Sequence, residues 1–305
     1  MTAHDDSDSV TSADEALFEL LGISKLTERE DDDQPRTWEE LLKESPSDLD
    51  PSLFERDSVY QFPTTLPAEI MRQITNELVW DHNRDLDRTY ETIAGVRTLT
   101  RLERFVQSHP QWSQLAQEYL PLLLEPIVGC PVVLFKEKLN LKPPGGSGFA
   151  PHLDSPSLAV AFGEGGPQTF WTVMVAIDDM TVANGCLRVV KGEWSTPVET
   201  IPPTDDNPDA GGRLGAIDLA LADMMSFEPL LCKGGSIVVF GGNVPHRSSR
   251  NDSAFERRAV FLTYNPTSEG THRDAYYRKM TEMRVGWKQK SLKHETGDWL
   301  STVPT

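Results

Sequence analysis

Cysteine is scarce in this chain. Three occur in 305 residues, Cys130, Cys186 and Cys232, and they lie far apart. An odd, scattered set builds no disulfide framework and fits a reducing compartment, so a cytoplasmic location is expected. Long apolar runs are missing too. No stretch reaches the roughly 18 apolar residues of a transmembrane helix, so no membrane span is expected. The opening Met1-Thr2-Ala3-His4-Asp5-Asp6 has no apolar core of the kind a signal peptide needs. Basic residues are outnumbered: 29 Lys and Arg face 47 Asp and Glu, for a net charge of −18. That balance argues against nucleic acid as a partner. A monomer or homodimer handling a small molecule is the remaining expectation.

The acidity is not evenly spread. Residues 1–50 hold sixteen acids and four Lys or Arg, giving −12, and the other 255 hold thirty-one acids and twenty-five bases, giving −6. Residues 1–60 therefore read as an acidic, partly ordered extension on a body spanning 61–305. Within the extension, Ser12-Ala13-Asp14-Glu15 and Thr37-Trp38-Glu39-Glu40 fit capping boxes ahead of short apolar runs. The run Glu28 to Asp33 between them should stay solvated.

Residues 66–128 read as a helical buttress. Ile70, Ile74 and Leu78 share one helix face, as do Trp112, Leu115, Tyr119 and Leu122 or Leu123. Trp80 and Trp112 are expected in the core. From 131 to about 290 the pattern changes to many short strands broken by Gly and Pro. Val132–Lys142 alternates, with Val133, Phe135, Leu139 and Leu141 on one face and Lys136, Lys138, Asn140 and Lys142 on the other. Phe170–Ile177, Cys186–Val190, Ser236–Phe240 and Arg257–Tyr264 are further strands, with a tight turn at Asn184-Gly185 and a long loop over 200–216. Such a succession is a sandwich or barrel with flanking helices, mainly β in an α+β setting.

His152-Leu153-Asp154 is the chemical centre of the pattern. In an extended strand, positions i and i+2 point the same way, so His152 and Asp154 offer a nitrogen and an oxygen to one point. A second histidine from another strand, His246, completes two histidines and one carboxylate. That donor set suits iron(II) and leaves positions open for a chelating co-substrate and O2.

The block from Lys136 to Tyr277 resembles the phytanoyl-CoA dioxygenase family of iron(II)- and 2-oxoglutarate-dependent oxygenases, in its branch of small-molecule hydroxylases. The matching pieces are Lys136-Glu137-Lys138-Leu139-Asn140, His152-x-Asp154, Trp171-Thr172, Asn184-Gly185-Cys186-Leu187, Val244-Pro245-His246-Arg247-Ser248 and Leu262-Thr263-Tyr264-Asn265-Pro266. The resemblance implies a double-stranded β-helix (jelly roll, cupin-like) with His152, Asp154 and His246 as both metal ligands and catalytic centre. It implies that Arg257, eleven residues after the distal histidine, pairs with the far carboxylate of 2-oxoglutarate, assisted by Ser248. Asn140 and Lys138 on the early strand and Trp171 beside the metal would line the same pocket. Ser155, Ser157 and Leu158 after the carboxylate ligand, and Asn243 before the distal histidine, are the expected substrate contacts. The cofactors implied are Fe(II), 2-oxoglutarate and O2, with hydroxylation of an unactivated C–H and release of succinate and CO2.

Two positions depart from the family pattern: Leu153, where Gln is frequent, and Lys191-Gly192-Glu193-Trp194, where the family has Pro-Gly-Ser-His. Both bear on the substrate and not on the chemistry. Three rival readings remain. A halogenase of similar fold would lack Asp154. A zinc hydrolase would leave Arg257 and Ser248 without a purpose. A catalytically inactive cupin-type binding protein would work through its acidic arm.

Overall fold

Asp50 sets the start of the body: its carboxylate accepts from the Ser52 N–H at 3.1 Å and caps helix α1, Pro51–Asp57. The computed structural model describes residues 48–81, 86–156, 165–201 and 215–282. Strand β1, Val59–Thr65, follows α1 directly, and helix α2, Ala68–Trp80, buries Met71, Ile74 and Leu78. Then come β2, Asp87–Ile93, and β3, Val96–Glu103. Helix α3, Pro110–Gln114, runs through a π-helical turn, Leu115–Tyr119, into α4, Leu120–Val128, which stops at Gly129 with φ 76. The remaining elements are β4, Val132–Lys142; β5, Phe149–His152; β6, Trp171–Ala176; β7, Leu187–Val189; α5, Leu219–Asp223; β8, Glu228–Pro229; β9, Ser236–Gly241; β10, His246–Ser248; and β11, Arg257–Pro266. Residues 273–282 are helical.

The strands form two antiparallel sheets. The larger runs β1-β9-β6-β11-β4-β3-β2, the smaller β5-β10-β7-β8. From β4 to β11 the chain passes repeatedly between the two sheets, which is the jelly-roll path expected from the strand pattern. Met174 and Ala176 of β6, Val238 and Phe240 of β9, and Ala259 and Phe261 of β11 pack across to Leu187 and Val189 of β7, filling the space between sheets. The opposite face of the large sheet, with Val173, Val175, Val239, Val260 and Leu262, packs on Ile74, Leu78, Trp112, Leu115 and Leu123 from the helices. Strand alternation thus gives the large sheet an apolar outer face and an inner face that is apolar over β6 and β9 and polar over β4.

Several expectations are corrected here. Residues 66–128 are not all helical, because 87–103 form the β2–β3 hairpin. Its turn, Ala94-Gly95, has φ 49 and 83, the two left-handed positions of a tight hairpin. The strands carry polar residues on both sides, so neither period stands out in the sequence. The body begins before residue 61, since Val59 and Tyr60 are buried and pair with Phe240 and Val239. Trp80 is 72% exposed. It sits two residues past Leu78, about 200° around the helix from the buried face.

The fourth correction concerns β4. A register shift opposite Thr263/Tyr264 inserts a bulge near Phe135. Leu134 therefore joins Leu139 and Leu141 against the helices, while Phe135 packs with Phe170, Tyr276 and Tyr277. Behind the bulge, Glu137 is fully buried and accepts from Arg273 and Tyr277 of the last helix. The capping boxes of the extension, most of the 200–216 loop, Ser157 and Leu158 lie outside the described residues. Among the described residues, no helix is long and apolar enough to cross a membrane.

Candidate active site

His152 ends β5 and His246 opens β10, and the two are direct cross-strand partners in the small sheet. Their rings stand 3.9 Å apart between centroids. Asp154 follows two residues later in the bend after β5, held by its N–H to the Gly242 carbonyl at 3.2 Å. One ligand atom from each of these three buried residues lies within 4.8 Å of the others. Leu153, between them, turns the other way into an apolar cluster with Ile217, Ala222 and Phe227.

The imidazoles are oriented from behind. Nδ1 of His152 is 2.7 Å from the Ala150 carbonyl, and Nδ1 of His246 is 2.9 Å from the Val244 carbonyl. A carbonyl only accepts, so each Nδ1 carries the proton and Nε2 carries the lone pair that a metal uses. Two imidazole nitrogens and one carboxylate oxygen are the donor set of non-haem iron(II), and the residues present fit that ion.

The opposite wall is the inner face of the large sheet. Lys136, Lys138, Asn140 and Lys142 of β4 face inward opposite Thr263, Phe261, Ala259 and Arg257 of β11. Arg257 is 3% exposed, its NH2 donates to the Gly185 carbonyl at 2.8 Å, and its Nε is buried without a partner. A buried guanidinium N–H that the protein itself leaves unpaired fits a carboxylate. Burial brings this guanidinium down to about 10. Arg258, one residue on, points to the other face, where Asp178 accepts from its Nε and NH2 at 2.7 Å each. Of the two neighbours, only Arg257 lies on the inner face of the large sheet, with Ala259 and Phe261.

The other expected residues divide. Ser248 is buried and its Oγ accepts from Lys142 Nζ at 2.8 Å. Asn140 Oδ1 accepts from Arg101 Nε at 3.2 Å. Lys138 Nζ lies 5.7 Å from the Phe261 ring. Ser155 has a buried Oγ with no partner, beside Asp154. Two residues are not brought to the site. Trp171 lies on the helix-facing side of β6 with Val173 and Val175, because alternation puts Thr172 and Met174 inward. Asn243 donates to the Trp194 and Ser195 carbonyls at 3.4 Å, which commits its amide to holding that loop.

Three inward residues escaped the sequence reading. Arg101 and Glu103 lie on β3 and are nearly buried, with Arg101 NH1 3.7 Å from Glu103. The signal was the alternation Arg101-Leu102-Glu103, masked by the helical assignment. Tyr276 of the last helix places its ring 5.5 Å from Lys136 Nζ.

A jelly roll with two histidines on its small sheet, a carboxylate just after β5 and a buried arginine on its large sheet has the layout of a non-haem iron oxygenase. The chain belongs to the phytanoyl-CoA dioxygenase family, whose model matches residues 64–259. It is a dioxygenase working with iron(II) and 2-oxoglutarate. Among curated relatives, it is 37% identical to a 2-aminoethylphosphonate dioxygenase of uncultured bacterium HF130_AEPn_1 over 189 residues, 62% of this chain and 67% of that one. It is 30% identical to a methylphosphonate hydroxylase of Gimesia maris over 224 residues, 71% and 78% of the two chains. The crystal structure of EctD from S. alaskensis with 2-oxoglutarate and 5-hydroxyectoine superposes with a TM-score of 0.58 at 20% identity, covering 80% of this chain and 81% of that one.

Proposed function

We propose that this dioxygenase oxidises a C–H bond of a small anionic substrate of the phosphonate class, with His152, Asp154 and His246 holding the iron and Arg257 anchoring the far carboxylate of 2-oxoglutarate. The observation that carries the reading is the buried cluster of three ligand atoms facing an unpaired, buried Arg257 Nε across the sandwich. Iron(II) with 2-oxoglutarate supplies the oxidation of the C–H bond by O2, with succinate and CO2 leaving. The chain's own residues do the rest. Ala150 and Val244 fix the imidazole tautomers. Arg257 orients the co-substrate by a two-point pair with its carboxylate. Phe240, 5.2 Å from the His246 ring, and Val244 keep that side of the cluster dry.

The substrate class rests on two supports. Two relatives bear names of phosphonate-oxidising enzymes. The inner wall near Asp154 also carries Arg101, Lys136 and Lys138, and the first two are 5% and 9% exposed. Buried cations on a cavity wall favour an anion, and a phosphonate offers oxygens for several of them at once. Ser155, with its unpaired hydroxyl, is placed to add a hydrogen bond.

The test is succinate release from 2-oxoglutarate across methylphosphonate, 2-aminoethylphosphonate, and amino-acid and carboxylate controls. Coupled release with a phosphonate is the expected result, and coupling only with an uncharged or cationic compound overturns the substrate class. His152→Ala, Asp154→Ala and His246→Ala should each lose iron(II) binding and turnover with the fold retained. Full activity in any one of them removes that residue from the ligand set.

A further inference from the structure

The anchor end of the cavity holds more positive charge than one arginine. Lys142 and Arg257 are direct cross-strand partners, 4% and 3% exposed. The Gly185 carbonyl accepts from both, at 3.3 Å from Lys142 Nζ and 2.8 Å from Arg257 NH2. Gly185 is at φ +69, and a Cβ there would meet the Ser249 carbonyl at 2.3 Å, so this shared acceptor depends on glycine. Lys142 Nζ also lies 2.8 Å from Ser248 Oγ and 2.6 Å from the Ser249 carbonyl. Among the described residues, no carboxylate hydrogen-bonds to either cation.

Two buried cations side by side without an anion are costly when both are charged. The titratable and charged groups acting on Lys142 are Arg257 from β11, which opposes its charge, and Cys186 before β7 and Glu91 from β2, which favour it. Burial, followed by the Arg257 charge, prevails and brings the ammonium down to about 6. The hydrogen-bond geometry accommodates both protonation states. A neutral amine has a lone pair and accepts from the Ser248 O–H. An ammonium has three N–H groups, matching Gly185 O, Ser248 Oγ and Ser249 O, and leaves the Ser248 O–H to donate elsewhere.

Building on the reading of Arg257 and Ser248 above, we propose that Lys142 is a proton-coupled positioning residue of the co-substrate anchor. When the distal carboxylate of the 2-oxo acid meets Arg257, one proton from solvent converts the Lys142 amine to ammonium. Ser248 then turns its O–H from Nζ to the carboxylate. No bond other than the new N–H forms, and the added charge neutralises the incoming anion. The carboxylates of 2-oxoglutarate stay ionised above pH 6, so a proton taken up there belongs to the protein. Because the bound state holds the extra proton, affinity is highest at low pH. It declines as pH rises above the empty-site value, by at most about tenfold per unit.

The experiment is calorimetry of 2-oxoglutarate binding to the full chain loaded with Mn(II), which prevents turnover, in buffers of different ionisation enthalpy. At pH 7.5 the wild type should take up close to one proton per 2-oxoglutarate, and its Kd should weaken steadily from pH 6.5 to 8. Lys142→Met should take up none and show a Kd almost flat across that range, with a melting curve confirming the fold. Lys142→Arg, charged throughout, should bind without proton uptake. Binding to the wild type without proton uptake overturns the proposal and leaves the co-substrate reading intact, as does equal uptake by wild type and Lys142→Met. No binding at all to the wild type overturns both.

Discussion

Arg257 and Arg258 are neighbours on opposite faces of β11. Arg257 lies buried on the inner face with one guanidinium nitrogen unpaired, while Arg258 is tied bidentately to Asp178 and by NH1 to Asn76 Oδ1 on α2. Arg257→Ala should raise the apparent KM for 2-oxoglutarate by the loss of a buried charge-assisted pair, about 2–5 kcal/mol, or roughly 30- to several-thousand-fold. Arg258→Ala should leave that constant nearly unchanged and instead cost about 3 kcal/mol of stability, because it strands a nearly buried Asp178. Steady-state kinetics beside a urea melt separates the two. A KM defect in Arg258→Ala would show that the strand's face has been misassigned. At this scale the ligand spacing was legible as a convergence of His152 and Asp154, although β5 ends at His152 and Asp154 reaches the same point from the bend after the strand. Trp171 and Asn243 were not, because motif position says nothing about which side of β6 or of the β9–β10 turn a side chain takes.

Among the elements, β4 shows most clearly what a sequence pattern gives and withholds. The alternation Lys136, Lys138, Asn140, Lys142 put these four on one face but left open whether that face met solvent or the interior of the sandwich. The bulge near Phe135 did not show, because one extra residue flips the earlier positions without altering the hydrophobic count. The β2–β3 hairpin hid for a related reason: at the rim of the sheet, polar residues serve on both sides. The start of the body was blurred by composition, since an acidic stretch runs into β1. Chains beginning at Asp48 and at Leu66 should therefore behave differently. The first sheds fourteen acids and four bases, a charge of −10, and keeps β1 on β9. The second also removes β1, bares the β9 edge and should aggregate or melt markedly lower. Equal melting temperatures for the two would show that β1 adds nothing to the sheet. At the other end, Tyr277 bonds buried Glu137 and its backbone. Tyr277→Phe should cost about 1–3 kcal/mol in a denaturant melt by leaving that carboxylate short of a donor.

Across the whole molecule, the candidate metal cluster and the proposed co-substrate anchor belong to different layers. The histidines lie on the small sheet, Arg257 and Lys142 on the large one. The seam between them is bridged by short polar links, Lys142 to Ser248 and Arg257 to Gly185. Held at both ends as proposed above, 2-oxoglutarate would be a rivet through the sandwich, and mechanical stiffness would become a readout of loading. The strands β7 and β10 have only three residues each, against six in β9 and ten in β11, and so have little ladder of their own to resist opening. Their amides should exchange with deuterium faster than those of β9 and β11 in the apo protein. Mn(II) alone should slow them partly, by joining β5 to β10 within one sheet. Mn(II) with 2-oxoglutarate should slow them much further and bring the two sheets to open as one unit. An unchanged exchange pattern on adding 2-oxoglutarate to the metal-loaded protein would mean that the co-substrate leaves the layers independent.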